Sequence, residues 1–474
     1  MKIMKPILPV AVATLLTACN VGPDYVRPTA AVPAAFGESA PWRVAQPRDN
    51  AQRGPWWHIY EDPRLNGLME QVTFSNQSLK AAEATYRQAR ALVQAAASGY
   101  YPQVSAGALL ERARSNSSNR SGTSSNYLLS AAASWELDLW GRVRRSVEAS
   151  RADAQASAAD LESLRLSIQA ELVGDYFQLR TIDAQKRLLD ETVSSYGQYL
   201  ELTRNRHAAG VASPADVFQA ETQLRSSQAQ AIDLGVERAH LEHAIALLIG
   251  RAPAEFTLTP IPLDGTPPPS PPGLPSRLLE RRPDIAAAER RVAAANARIG
   301  VATAAYYPAI TLSSSAGFAS SSLSNWLSWP GHVWALGSAI AQTVYDGGLR
   351  GAQVDEARAT YEATVADYRQ TVLTAFQEVE DNLAALRILE QEAAAQDQAL
   401  RAARQSLAIT TNQYRAGIVG YLNVIVAQTT ALELERDSVD LMGRRMAASV
   451  KLVKGIGGGW NAADLAEIDG KGQQ

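Results

Sequence analysis

Residue types that commonly do chemistry are sparse in this chain of 474 residues. Five histidines stand at 58, 207, 240, 243 and 332, and Cys19 is the only cysteine. His240 and His243 share a helical face, but no cysteine or acidic triad completes a tetrahedral metal site around them. Glu242 beside them marks a solvated surface. No glycine-rich phosphate loop of the Walker type occurs. The expectation is no catalytic residue, no metal and no enzyme activity, and a lone cysteine leaves no internal disulfide.

The chemistry that the sequence announces is acylation. Lys2 and Lys5 precede an apolar stretch from Pro6 to Ala18, too short to span a bilayer, which reads as a secretory signal. It ends in Leu16-Thr17-Ala18-Cys19, the pattern of a bacterial lipobox. Cleavage is expected between Ala18 and Cys19, with diacylglycerol on the thiol and an acyl chain on the new amine. Asn20 rather than aspartate follows, which fits passage to the outer membrane. No cofactor is expected beyond these covalent lipids. The full chain is 46% hydrophobic and 20% charged with a net charge of -3, a globular composition without the basic excess of a nucleic-acid binder. No run of 18 apolar residues occurs, so any membrane crossing must be made by strands.

Two copies of one plan position these residues. Leu79-Lys80-Ala81-Ala82-Glu83 up to Tyr100-Tyr101-Pro102 recurs as Ile285-Ala286-Ala287-Ala288-Glu289 up to Tyr306-Tyr307-Pro308, an offset of 206 residues. Ala209-Gly210-Val211 with Val217 and Ala220 recurs as Ala416-Gly417-Ile418 with Val424 and Ala427, an offset of 207. Residues 251–275 between the copies carry nine prolines and read as an extended linker. The plan is then a signal peptide 1–18, an N-terminal segment 19–64, a first repeat 65–250, the linker, a second repeat 276–456 and a tail 457–474.

Each repeat predicts a very long helix, 141–207 and 349–415, roughly 100 Å at 1.5 Å per residue. Apolar residues at Leu161, Leu164, Ile168, Leu172, Tyr176 and Leu179 recur by threes and fours, as do Tyr361, Val365, Tyr368, Val372, Phe376, Val379, Leu383, Leu386 and Leu389. Shorter helices are expected over 65–99, 214–250, 276–304 and 421–455. Paired end to end, they match the long helices in length, so each repeat builds a stave.

Between short and long helix the period falls to two. Leu129, Ala131, Ala133, Trp135, Leu137 and Leu139 alternate with Ser130, Ala132, Ser134, Glu136 and Asp138, an apolar-out and polar-in strand. Residues 103–112 pair with it across a Ser/Asn/Gly-rich loop, 115–126, giving a strand pair 103–139. The second repeat places a weaker pair over 309–346, with Ile310, Leu312, Ser314, Ala316 and Phe318, then Trp334, Leu336, Ser338, Ile340 and Val344. Tyr100, Tyr101, Trp140, Tyr306, Tyr307 and Tyr345 cluster at one end as an interfacial girdle would. A small soluble four-stranded sheet with aromatics in its core fits the strands equally well, and the lipoprotein signal favours the membrane. Four strands cannot close a barrel, and open edges are not tolerated in lipid, so the chain must oligomerise. Three copies give twelve strands, and this arithmetic leaves four copies open.

Cys19-Asn20-Val21-Gly22-Pro23-Asp24-Tyr25-Val26-Arg27-Pro28 resembles the mature start of the OprM-like outer-membrane factor lipoproteins, relatives of TolC. Trp56-Trp57, Asp62-Pro63, Leu65, Trp135-Glu136-Leu137-Asp138-Leu139-Trp140-Gly141, Leu279-Glu280-Arg281-Arg282-Pro283-Asp284-Ile285 and Gly457-Gly458-Gly459-Trp460 are similar to further blocks of that family, especially its OpmB-type channels. The resemblance implies an α+β membrane protein: a homotrimer with a twelve-stranded β-barrel, four strands per chain, continued by a long α-helical periplasmic barrel with an equatorial belt that includes Trp56, Trp57 and Trp460. It implies an outer-membrane efflux duct for drugs or other small toxic compounds, with a periplasmic adaptor and an inner-membrane RND pump as partners. A type I secretion duct is the alternative; a periplasmic adaptor or a fibrous adhesin would lack the duplicated strand pairs.

The tip turns 208–214 and 416–421 carry the functional candidates. Gly210 and Gly417 suit the positive-φ stop of a long helix, and Ser213-Pro214 suits a helix start. By resemblance, Gly210, Val211, Gly417 and Ile418 face the adaptor, and the periplasmic gate involves Asp216 with Tyr414. Val419 stands where family members can carry an arginine, and the family's acidic constriction ring falls on the uncharged Asn423 and Val426. Ser213-x-x-Asp216 also reads as a capping box, a role compatible with gating.

Overall fold

The computed structural model describes residues 21–30, 32–33, 36–37, 55–117, 120–268 and 281–458. Ala18, Cys19 and Trp460 lie outside the described residues, as do parts of the proline linker and of the tail. The elements are α1 (Pro63–Ser75), α2 (Gln77–Ala97), β1 (Gln103–Ser117), β2 (Arg120–Glu136), α3 (Arg142–Ala208), α4 (Pro214–Leu248), α5 (Pro283–Ala304), β3 (Ala309–Ser320), β4 (His332–Ala341), α6 (Leu349–Arg415) and α7 (Tyr421–Gly455). No helix among the described residues is long and apolar enough to cross a membrane.

Two compact units emerge, and neither is one repeat: each draws segments from both. The first comprises residues 1–29, 85–158 and 287–370. Its centre is one antiparallel sheet in the order β1-β2-β3-β4. All four strands join their helices at the same end: β1 and β3 begin there and β2 and β4 finish there. The register puts Ala133 opposite both Val104 and Ser314, and Trp135 opposite Leu312. Leu110, Leu129, Phe318, Trp334, Leu336 and Ile340 follow on that same face.

The first hairpin is longer than the sequence pattern suggests. Residues 115–126, read as a loop, belong mostly to the strands, and the ladder runs on to Ser117 opposite Arg120. Asparagine and glycine are weak strand formers, but a ladder already in register satisfies each further backbone pair locally. The second pair is shorter than its expected span, ending at Ala341 rather than near 346.

An N-terminal segment is laced onto this unit. Val21 N donates to Trp140 O at 3.2 Å, Asn296 Nδ2 donates to Pro23 O at 2.9 Å, and the Tyr25 hydroxyl donates to Glu289. Arg145, with its side chain only 3% exposed, is paired at 2.8 Å with both Asp24 and Glu148. The crossing at Gly22 is so close that a Cβ there would lie 2.4 Å from Gly300 Cα, and φ is +96°. Only glycine fits.

The second unit comprises residues 30–84, 159–286 and 371–474. Its core collects Leu65, Met69, Val72, Leu79, Leu172, Tyr176, Phe177 and Ile245, with Trp56 donating to Gln169 Oε1 at 3.2 Å. The apolar stripes of the long helices supply buried Leu161, Ile168, Leu172, Tyr176 and Leu179, and buried Val372, Phe376, Val379, Leu383 and Leu389. Arg282 of the arginine-rich block is buried and paired at 2.6 Å with Asp284 and Glu378. The expected single helix 65–99 is broken at Asn76. That side chain accepts from Leu79 N at 3.0 Å, starting α2, and donates to Leu248 O at 2.7 Å, finishing α4. One buried asparagine thus serves two helix ends, a better use of its polar atoms than a helix interior offers.

Candidate functional site

The two helix-to-helix turns of the second unit end their long helices in the same way. Gly210 N donates to His207 O and Val211 N to Arg206 O, both at 2.9 Å. At the other tip Gly417 N donates to Tyr414 O and Ile418 N to Gln413 O, again at 2.9 Å. Both glycines take positive φ, +75° and +77°, the left-handed cap that releases a helix into a turn. Val211 and Ile418, one residue on, are exposed apolar side chains.

The starts of the returning helices differ. Ser213 and Asp216 form a full capping box: Asp216 N donates to Ser213 Oγ at 3.2 Å and Ser213 N to Asp216 Oδ2 at 2.9 Å. The second tip has Gly420 at the same place, with no side-chain cap, and helix α7 begins on a buried Tyr421. The Tyr421 hydroxyl has no partner among the described residues, and burial pushes its pKa well above the usual phenol value.

Asp216 and Tyr414 do not bond within one protomer. The Asp216 carboxylate is engaged by its capping box, while Tyr414 is 3% exposed and packed in a cluster with Tyr196, Leu200, Leu224, Tyr421 and Val424. The Tyr414 hydroxyl lies 3.4 Å from Thr203 Oγ1. Val419 follows Gly417 where an arginine would supply a cation, and the cation comes instead from the opposite tip. Arg206 Nη1 donates to Tyr414 O at 2.8 Å, and its guanidinium carbon sits 4.6 Å from the ring centroid. The readable signal was a basic residue in the last turn of a long helix, where it meets C-terminal carbonyls. Asn423 and Val426 are exposed on α7. No group of three or more His, Cys, Asp or Glu able to hold a metal occurs among the described residues.

A model of the outer membrane efflux protein family matches residues 68–251 and 274–458. The chain belongs to the outer membrane efflux protein family. It is 30% identical over 465 residues to the probable efflux pump outer membrane protein TtgC of Pseudomonas putida, covering 96% of each chain. It is 29% identical over 459 residues to the cation efflux system protein CusC of Escherichia coli, covering 96% of this chain and 99% of that one. Among solved structures it superposes on the outer-membrane channel OprN with a TM-score of 0.86 at 32% identity, over 93% of this chain and all of that one. An outer-membrane efflux duct therefore stands, with the α+β channel fold, and a secretion duct is not favoured. Its place is the outer membrane.

Proposed function

We propose that the chain assembles as a homotrimer and serves as the passive exit duct of a tripartite pump for drugs or other small toxic compounds. The observation that carries this reading is the sheet. Its edge strands β1 and β4 have no partner strand among the described residues, while one face is predominantly apolar across all four strands, interrupted at mid-sheet only by the small Ser314 and Ser338. In lipid such edges must be closed, and three chains of four strands close a twelve-stranded barrel.

The periplasmic end is the tip pair. Val211 and Ile418, exposed beside Gly210 and Gly417, offer an adaptor the apolar contact points, and an inner-membrane RND pump supplies the energy. Resting closure lies at these tips, with Asp216 reaching a neighbouring protomer and Tyr414 acting through its clasp by Arg206. Neither Asn423 nor Val426 carries a charge, so the aperture lacks a carboxylate ring.

Cys19 carries the lipid anchor. Val21, two residues on, is tied to Trp140, which stacks on Tyr307 at 4.8 Å and donates to Pro308 O at 2.7 Å. This is the helix end of the sheet, the level of an interfacial aromatic girdle. Barrel and anchor act together, because an acyl chain alone adds only modest, reversible binding.

Two measurements test the proposal. Cysteines at Ala106 and Ser338, on the lipid-facing sides of β1 and β4, joined by a short bismaleimide in membranes, are expected to give a covalent ladder that stops at the trimer. A ladder running past the trimer overturns the stoichiometry. Intact mass is expected to show a triacylated Cys19, and an unmodified residue 19 overturns the anchor.

A further inference from the structure

The apolar face of β1 runs through Val104, Ala106, Ala108 and Leu110, opposite Ala133, Ala131, Leu129 and Tyr127 of β2. The next two residues of that face are arginines. Arg112 lies opposite Ser125 and Arg114 opposite Thr123, and neither has an acidic or aromatic partner among the described residues. Glu111 before them and Ala113 between them belong to the other face, as strand alternation requires.

Their height is fixed by aromatic residues. Tyr127 pairs with Ser320, the last residue of β3, and its ring lies 6.0 Å from that of Trp326 in the β3–β4 connection. Trp329 stacks on His332 at 5.0 Å, and Phe318 meets the same histidine edge-on at 6.0 Å. This is a second girdle, at the end of the sheet away from the helices. From Ile310 to Ser320 is roughly 34 Å along the strand at 3.4 Å per residue, or about 26 Å along the membrane normal at about 40° tilt. That is the height of an apolar band. Arg112 and Arg114 thus stand just past the band, on its lipid side, at the headgroup level of the far leaflet.

We propose that Arg112 and Arg114 bind the phosphates of the outer-leaflet lipid, a phosphorylated glycolipid. The inference rests on the barrel reading above, which turns this face to lipid and the helices to the periplasm. Two guanidinium forks roughly 7 Å apart on one strand face can each take a phosphate oxygen pair, while their aliphatic stems lie along the apolar band. The opposing Ser125 and Thr123 are small and polar, so the forks have room and no competing cation.

The test counts lipid retained by purified trimer in native mass spectrometry, with bisphosphorylated lipid A, the same lipid after phosphatase treatment, and inorganic phosphate as competitor. The parent is expected to hold the bisphosphorylated lipid, with inorganic phosphate displacing little. Arg112→Gln with Arg114→Gln is expected to weaken it roughly twenty-five-fold, about fivefold for each arginine, and to leave the dephosphorylated lipid unchanged. Equal retention by parent and double variant, or indifference to phosphate removal, overturns the proposal. Full displacement by inorganic phosphate makes this a free-anion site and overturns the lipid assignment. Conductance of the same preparations separates the readings. A conducting parent and variant with equal lipid retention defeat this inference alone, whereas a parent that forms no channel defeats the barrel and this inference with it.

Discussion

Arg206 holds Tyr414 twice, donating to its carbonyl oxygen at 2.8 Å and lying 4.6 Å over its ring, so one side chain from the end of α3 fastens the end of α6. The residues are 208 apart in sequence and belong to opposite tips. Arg206→Ala removes a charged hydrogen bond of about 1.5–3 kcal/mol and a cation–π contact of about 0.5–1 kcal/mol. The expected outcome is a lower melting temperature together with a higher conductance, as the tips lose their common fastening. Arg206→Lys, a point charge without the planar fork, falls between. Melting without any change in conductance would make the clasp structural only.

Asp216 separates two roles. Its capping box is worth about 1 kcal/mol to α4, so Asp216→Ala alone lowers thermal stability slightly. Combined with Tyr414→Phe, which removes only the hydroxyl near Thr203, it is expected to raise conductance and make cells leaky to large antibiotics while the trimer persists. A folded double variant that conducts like the parent leaves Asp216 a cap and puts the gate elsewhere.

Much of this architecture was legible because it is periodic. The threes and fours from Leu161 to Leu179 and from Tyr368 to Leu389 state a buried helix face, and the alternation from Leu129 to Trp135 states a strand with two unlike faces. Gly210 and Gly417 could be read as helix stops because little else takes positive φ at low cost. What escaped is what depends on partners far away in sequence. Asn76 breaks a helix whose apolar spacing runs straight through it, because the Leu248 carbonyl needs a donor. Residues 115–126 look like a loop by composition but pair because their neighbours already do. Arg206 was invisible as a gate element, since the ring it covers enters from the other repeat.

Asp175 gives a pH prediction. Burial, and then the Glu171 charge one turn away, push its carboxyl up to about 6. The folded state therefore disfavours the carboxylate, a penalty fully present above about pH 6 that is mostly gone by about pH 4, where the folded carboxyl is protonated and the unfolded one is titrating. The group is only half-buried, so screening reduces the effect to the order of 1 kcal/mol. Asp175→Asn is expected to raise the melting temperature at about pH 7 and to change it little at about pH 4. An equal gain at both pH values would assign the effect to packing.

The strand facing can be tested at adjacent residues. Ala133 shares the apolar face with Val104, while Ser134, opposite Gln103 and Ser313, belongs to the other. Arginine on the lipid face near mid-band costs about 2–4 kcal/mol, and in the lumen far less. Ala133→Arg is expected to reduce the yield of assembled trimer in outer membranes much more than Ser134→Arg. Equal yields would mean that the faces are assigned the wrong way or that no barrel forms.

The claim on which all this stands is that the folded protein is a duct, and single-channel recording in a planar bilayer tests it most directly. Purified trimer is expected to give discrete open-channel steps, rarely in the resting state and often in the Asp216→Ala, Tyr414→Phe variant. Without a carboxylate at Asn423 or Val426, divalent cations are expected to block these currents only weakly. Intact trimer of parent and variant that inserts yet passes no current would contradict the account.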